Sequence, residues 1–248
     1  MTRNLAGKRV LVTGASRTLG RAIALELAER GADLALNYFR SQSDAEALAE
    51  RVRAGGGRAV IVKGDMRSYA EARQAAAAAA KALGGVDILV HNAGPYDDRP
   101  FLELPEEKWR EVFDANCTAL YALAQELAPG MIARRWGRII AIGAGSALMR
   151  SHSVYGLAKA ALIHLCEALA VELAPTVTVN AISPGLIADN EDMSPEFARE
   201  SAEDTPLKRL VTRAEVAGLV AALCGEPYDM VTGQNIVMDG GRTIPTRG

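Results

Sequence analysis

Short apolar runs alternate along this chain with longer stretches in which apolar residues return every three or four positions. The runs Arg9–Val12, Asp33–Tyr38, Ala59–Lys63, Ile88–His91, Arg138–Ile142, Val177–Ile182 and Asn235–Met238 have the length and near-continuous hydrophobicity of strands covered on both faces. The stretches between them read as helices, among them Arg21–Arg30, Pro105–Arg134 and Ser153–Ala174. Ser43-Asp44-Ala45-Glu46, Ser68-Tyr69-Ala70-Glu71 and Thr212-Arg213-Ala214-Glu215 each fit a capping box, and Pro105 suits a first helical turn. The Ala75–Ala80 tract fits a close-packed helix face. Repeated βα units of this kind predict an α/β fold: one doubly wound Rossmann-type domain over residues 1–248, with a parallel sheet of about seven strands and helices on both faces.

One region breaks the rhythm. From Gly185 to Val211 the chain is rich in Asp, Glu, Ser and Pro, with a helical signal only at Pro195–Ala202. It follows a strand end, where open α/β sheets bind ligands, so residues 185–211 read either as a substrate lid or as a plain surface loop. Leu186, Ile187, Met193 and Phe197 would offer a substrate an apolar surface.

Composition narrows the classes. The 248 residues are 49% hydrophobic and 23% charged, with a formal charge of −2, which excludes wholesale disorder and leaves no basic footprint for nucleic acid or an anionic membrane. Cys117, Cys166 and Cys224 are odd in number and lie in apolar stretches, so they read as buried free thiols of a reducing compartment. No apolar run looks long enough to span a bilayer, and Met1-Thr2-Arg3-Asn4 lacks a signal-peptide core. A soluble, cytoplasmic protein is expected, without a metal site.

The first strand runs into Thr13-Gly14-Ala15-Ser16-Arg17-Thr18-Leu19-Gly20 and then a helix. A glycine turn at that junction lets backbone amides and the helix dipole hold a pyrophosphate. The second strand ends in Asn37-Tyr38-Phe39-Arg40-Ser41, with no carboxylate to accept from a ribose 2′-hydroxyl. Arg40 and Arg17 instead suit a 2′-phosphate, so NADP(H) is expected over NAD(H). Asp65, after the third strand, either meets the adenine edge or forms a turn. Tyr155 and Lys159 stand four apart at a helix start, on one face, where an ammonium would lower the phenol pKa toward neutrality. Asn116 falls in the buried stripe marked by Trp109, Val112, Phe113, Leu120, Leu123 and Leu127, so it is a structural bridge or a site residue.

Taken in order, Thr13–Gly20, Asn92-Ala93-Gly94, Asn116, Tyr155-Gly156-Leu157-Ala158-Lys159, Asn180 with Pro184-Gly185, and Asp239-Gly240-Gly241 resemble the short-chain dehydrogenase/reductase family over nearly the whole chain. Within it the chain is most similar to the NADPH-dependent 3-oxoacyl-acyl-carrier-protein reductase type, and Tyr38–Ser41 also resembles pteridine reductases. The resemblance implies reduction of a small carbonyl substrate, free or carried on a thioester, by a homotetramer. Tyr155 would protonate the carbonyl oxygen, Lys159 would lower the Tyr pKa and bind the nicotinamide ribose, and Asn116 would hold a relay water. The cofactor set would be Gly14, Ser16, Arg17, Thr18, Leu19, Gly20, Tyr38, Arg40, Ser41, Asp65, Met66, Asn92, Ala93, Gly94, Tyr155, Lys159, Pro184, Gly185 and Ile187.

Three positions depart from that pattern. Thr18 replaces a usual glycine, and His91 a frequent asparagine. The family's catalytic serine, counted back from Tyr155, falls on Ile142; aligned by the strand it falls on Ala144, and the nearest hydroxyl is Ser146: either the short, flexible Gly143-Ala144-Gly145 run redirects Ser146 into the role, which is the expectation, or the site lacks this donor. Two rivals stay open: reduction of a pteridine or another C=N or C=C bond, and a nucleotide-sensing or scaffold protein with impaired chemistry.

Overall fold

The structure, a computed structural model, describes residues 4–149 and 152–244; Met1, Thr2 and Arg3, used above in reading the N-terminus, lie outside them. The elements run β1 (Arg9–Val12), α1 (Thr18–Glu29), β2 (Asp33–Tyr38), α2 (Gln42–Ala54), β3 (Ala59–Lys63), α3 (Tyr69–Leu83), β4 (Ile88–His91) and α4 (Glu106–Phe113). They continue with α5 (Ala119–Ala133), β5 (Gly137–Ile142), α6 (Gly145–Leu148), α7 (Val154–Glu172), β6 (Val177–Pro184), α8 (Pro195–Asp204), α9 (Arg213–Leu223) and β7 (Asn235–Met238). The expected strands all form; β5 starts one residue earlier than the apolar run, and β6 runs two residues further.

The strands make one parallel sheet in the order β3-β2-β1-β4-β5-β6-β7. Successive strand residues point to opposite faces and divide between two cores. Leu11, Leu89, Ile139 and Val179 pack under α3, α5 and α7, while Val10, Val12, Leu34, Ile88 and Ile140 pack under α1, α2 and α9. Ala72, Ala75, Ala76 and Ala79 keep α3 close against α5, the packing expected of the alanine tract. The winding direction changes between β1 and β4, which opens a crevice at their carboxyl ends.

Several local expectations are corrected. The helix expected over Pro105–Arg134 is not continuous: a π segment, Asp114–Thr118, divides α4 from α5, and Pro105 is the N-cap of α4, outside its first turn. Trp109 lies outside the buried stripe, 39% exposed, its ring stacked on Phe113. Ser43 does not cap, because α2 already starts at Gln42. Ser68 accepts from the Glu71 amide, but Glu71 reaches the Asp65 amide (3.0 Å), so the box there is half formed. The Thr212–Glu215 box is complete. Cys166 and Cys224 are buried free thiols, whereas Cys117 is half-buried. Finally, α7 has 19 residues, of which an 18-residue window has a mean hydropathy of 1.5, so by length and composition alone it could cross a membrane, where the sequence reading finds no such stretch. It packs instead against β6 and α6, with Lys159 in its buried face.

Beyond β6 the chain makes the expected excursion. Its two ends are joined: Ile187 bridges Val211, and the Ala188 amide donates to the Val211 carbonyl (2.8 Å). Within it Ser194 caps α8, which extends the weak signal at Pro195–Ala202 to Asp204.

Candidate active site

The turn after β1 is held from three sides. Gly14 has φ +60°, a conformation natural to glycine, and its amide donates to Asn37 Oδ1 (3.2 Å). A Cβ on Gly20 would run into the Gly14 carbonyl, so the first turn of α1 can lie this close only with glycine there. Thr13 Oγ1 accepts from the amides of Asn92 (3.0 Å) and Ala93 (3.1 Å), so its own proton goes to His91 Nδ1 (3.0 Å). His91 is thereby fixed as a neutral ring, its Nε2 turned toward the backbone of Ala115 and Asn116 without closing a bond of normal geometry. Burial, helped by the Lys159 charge, holds its pKa at about 3. Thr18 sits at φ +47°, a region that a β-branched side chain resists.

This turn opens a cleft of about 560 Å³ along the carboxyl ends of the strands. Of the expected cofactor residues, Gly14, Ser16, Arg17, Thr18 and Leu19 line its floor; Gly20 lies behind them, in packing. Tyr38, Arg40, Ser41, Asp65 and Met66 line one end. Asn92, Ala93 and Gly94 line the middle, and Tyr155, Lys159, Pro184, Gly185 and Ile187 the other end. Asn37, Phe39, Arg67 and Glu111 also line it and were missed. Only Asn37 had a signal, a lone amide in an apolar strand, and it ties the glycine turn to β3 by donating to the Gly64 carbonyl (3.1 Å).

Charge at the Tyr38–Arg67 end is partly spoken for. Arg67 bonds Asp65 and Glu111, and its guanidinium lies 4.8 Å from the Phe39 ring centre. Burial works to raise the Asp65 carboxyl, yet Arg67 holds it below the usual range. Of its two expected roles Asp65 thus fills the turn-forming one, accepting also from the Arg67 amide (2.9 Å). Arg17 and Arg40 are exposed and, among the described residues, have no carboxylate within ion-pair distance.

At the opposite end the expected electrostatics are corrected. Lys159 Nζ donates to the Ile142 carbonyl (2.6 Å) and stands 5.6 Å from the Tyr155 ring centre. Burial lowers its pKa to about 7, and burial, together with Tyr96, pushes the Tyr155 phenol up to about 12. A desolvated ammonium turned to a carbonyl does not bring the phenol toward neutrality. Asn116, in the π segment, is fully buried: its Nδ2 donates to Val112 (2.8 Å) and Pro95 (3.0 Å) carbonyls, while Oδ1 has no partner. Ser146 does not line the cleft; its Oγ is buried on α6 without a partner, and Ala144 lines the wall instead. The redirection expected of Ser146 is absent because α6 begins at Gly145 and carries Ser146 in its first turn.

A nucleotide fits these residues. Amides at the start of α1 lack a side-chain cap, unpaired guanidiniums stand at one end, and an orphaned amide oxygen lies behind the other. A family model described as enoyl-(acyl carrier protein) reductase matches residues 14–243. The chain belongs to the short-chain dehydrogenase/reductase family. Among curated members it is 34% identical to the 3-oxoacyl-[acyl-carrier-protein] reductase FabG of Staphylococcus epidermidis over 94% of this chain and 98% of that protein. A short-chain dehydrogenase from Burkholderia cenocepacia, solved in complex with NADP, superposes with a TM-score of 0.87 at 33% identity, covering 96% of this chain and 99% of the other. A blue fluorescent protein from a metagenomic library, solved with NADPH, gives 0.88 at 33% identity over 96% and 99%. The membership makes this short-chain dehydrogenase/reductase an oxidoreductase by family.

Proposed function

We propose that this protein is an NADP(H)-dependent carbonyl reductase acting on a 3-oxoacyl thioester or a similar ketone. The observation that carries the reading is one cleft with an uncapped helix start and two unpaired arginines at one end, and Tyr155 above a buried Lys159 at the other. Arg17 and Arg40 would hold the 2′-phosphate, which sets the preference over NAD(H). NADPH, held there, would supply the hydride for the carbonyl carbon. Tyr155 gives its phenolic proton to the carbonyl oxygen, so the C=O becomes CH–OH. The phenolate is then reprotonated from Lys159, whose pKa near 7 suits that exchange, and a water on Asn116 Oδ1 refills the lysine. Ala144 supplies no hydroxyl, so Tyr155 works as the principal donor to the oxygen. Residues 185–211 close over the substrate, and the active form is a cytoplasmic homotetramer, as the family habit suggests. Reduction of a C=C bond is the second reading, favoured by the description of the matching family model.

The test follows NADPH absorbance with 3-oxoacyl thioesters, quinones, dihydropteridines and enoyl thioesters. Turnover of a ketone, lost by ~10²–10⁴ in Tyr155→Phe with NADPH affinity retained, is the expected result. Tight NADPH binding with no turnover of any of them would leave the nucleotide-sensing role.

A further inference from the structure

His91 closes β4 with 1% of its surface exposed, between the glycine turn and the π segment, and the reduction gives its ring no proton to move. It stands where the family frequently carries asparagine. Its two nitrogens face different parts of the site. Nδ1 accepts from the Thr13 hydroxyl (3.0 Å), whose oxygen is already filled by the amides of Asn92 (3.0 Å) and Ala93 (3.1 Å). The ring proton therefore belongs on Nε2. That nitrogen is turned to the backbone of Ala115 and Asn116 and has no partner of normal geometry. A buried donor left open is costly, so its aim carries information.

The backbone it faces is the stretch that carries Asn116. A π segment interrupts the regular pattern of helix bonds, so Asp114–Thr118 is held less uniformly than the helices on either side. The Asn116 side chain has little freedom of its own: Nδ2 is spent on the Val112 and Pro95 carbonyls, and a Cβ on Gly94 would overlap Oδ1. Where Oδ1 points is thus decided by the backbone beneath it. The Lys159 charge is felt at the His91 ring, which places the ring under both members of the relay. Resting on the carbonyl-reductase reading, we propose that His91 is a positioning residue of the proton relay: fixed at Nδ1 by Thr13, it braces the π segment with Nε2 and so sets where Asn116 Oδ1 holds its water. Because Thr13 begins the glycine turn, the same ring keeps that turn and the relay in register.

Two amides separate the nitrogens, since an asparagine side chain reaches about as far as Nδ1 and a glutamine about as far as Nε2. The test uses the full chain with saturating NADPH and the 3-oxobutanoyl thioester of N-acetylcysteamine. His91→Asn is expected to lower the single-turnover rate by about 3- to 10-fold, the worth of one hydrogen bond, with NADPH affinity kept. His91→Gln is expected to keep that rate within about 2-fold and to weaken NADPH by about 3- to 10-fold, because Thr13 loses its acceptor. In an Asn116→Ala background, His91→Asn should slow the reaction no further. Equal rate losses in the two variants, or losses that add in the double variant, overturn the proposal. Nuclear magnetic resonance of the unliganded protein separates it from the reading beneath it. The chain has three histidines, so the His91 ring is assignable by substitution. Its proton should stay on Nε2 from about pH 5 to 8, and the Asn116 side-chain amide signals should move in His91→Asn and hold in His91→Gln. A wild-type protein that reduces no ketone yet shows this pattern keeps the brace and refutes the reductase. A ring proton on Nδ1, or Asn116 signals that move equally in both variants, refutes the brace whatever the turnover.

Discussion

The cleft has two ends built on different principles. At the end lined by Tyr38 and Arg67, Arg17, Arg40 and Arg67 stand on strand-end turns, and two of them, Arg17 and Arg40, have no carboxylate within ion-pair distance among the described residues. At the Tyr155 end, Lys159 and Asn116 are buried, one an ammonium held by a single carbonyl and the other an amide with an orphaned oxygen. The first end is cheap to assemble and cheap to alter, because exposed charges cost little desolvation. The second stores unfavourable burial within the fold. Recognition and reactivity are therefore paid for separately along one crevice.

That contrast can be broken most forcefully at Lys159. Lys159→Met is expected to lower turnover by ~10²–10⁴ while raising Tm, since it removes a buried cation together with a proton carrier. The sign with pH follows from the lowered pKa of about 7: below it the fold bears the full cost of the buried charge, and from about 7 up to the ordinary lysine value of 10.5 that cost falls steadily, because the unfolded chain binds the proton more readily. Wild-type stability should gain over the variant's in that window; parallel melting curves for the two proteins would show Lys159 to be less strained than its surroundings imply.

A smaller effect is expected at the other end. Arg40→Asp should move the NADPH-over-NADH affinity ratio by ~10- to 100-fold with little change in Tm, the measure of a charge-assisted contact made at an exposed site. Calorimetry checks it, and a Tm loss as large as the Lys159 gain would erase the distinction between the ends. The smallest effect concerns the turn that joins them. Thr18→Gly relieves a left-handed threonine and should gain about 1 kcal/mol in a denaturant titration, with slightly tighter NADPH binding. A loss of stability would mean that the threonine side chain compensates its own backbone.

How much of this could be read from sequence follows the same division. Strands covered on both faces print themselves as apolar runs, so the sheet and its crevice were legible almost to the residue. The glycine turn and its arginines were legible because backbone freedom and charge are local properties. Helix interruptions were not. Asp114–Thr118 keeps an apolar phase on both sides, and nothing in Asp114-Ala115-Asn116-Cys117-Thr118 announces a wider turn. Arg67 and Glu111 are 44 residues apart and meet only because the fold brings α4 to the turn that follows β3. Ser146 follows the same rule: Gly143-Ala144-Gly145 reads as flexible in sequence, whereas in the fold the chain enters α6 at Gly145. The Tyr155–Lys159 spacing gave proximity correctly, but not the dehydration that governs both pKa values, since burial is a property of the whole fold.

The joined ends of the excursion after β6 have a consequence for how this protein can change. Ile187 and Val211 meet, and the Arg213 amide ties back to Asp189 Oδ1 (3.0 Å), so the intervening chain leaves and re-enters the domain at one point. Closure of such a segment depends only weakly on its length, a doubling costing about 0.6 kcal/mol. The segment behaves as a cassette: its length and side chains can be rewritten while the sheet, the glycine turn and the Tyr155–Lys159 pair keep their registration. Changes there reach the rest of the domain through few bonds, such as the Leu207 amide to the Gly240 carbonyl (3.2 Å) and Arg242 Nη1 to the Ser201 carbonyl (2.9 Å).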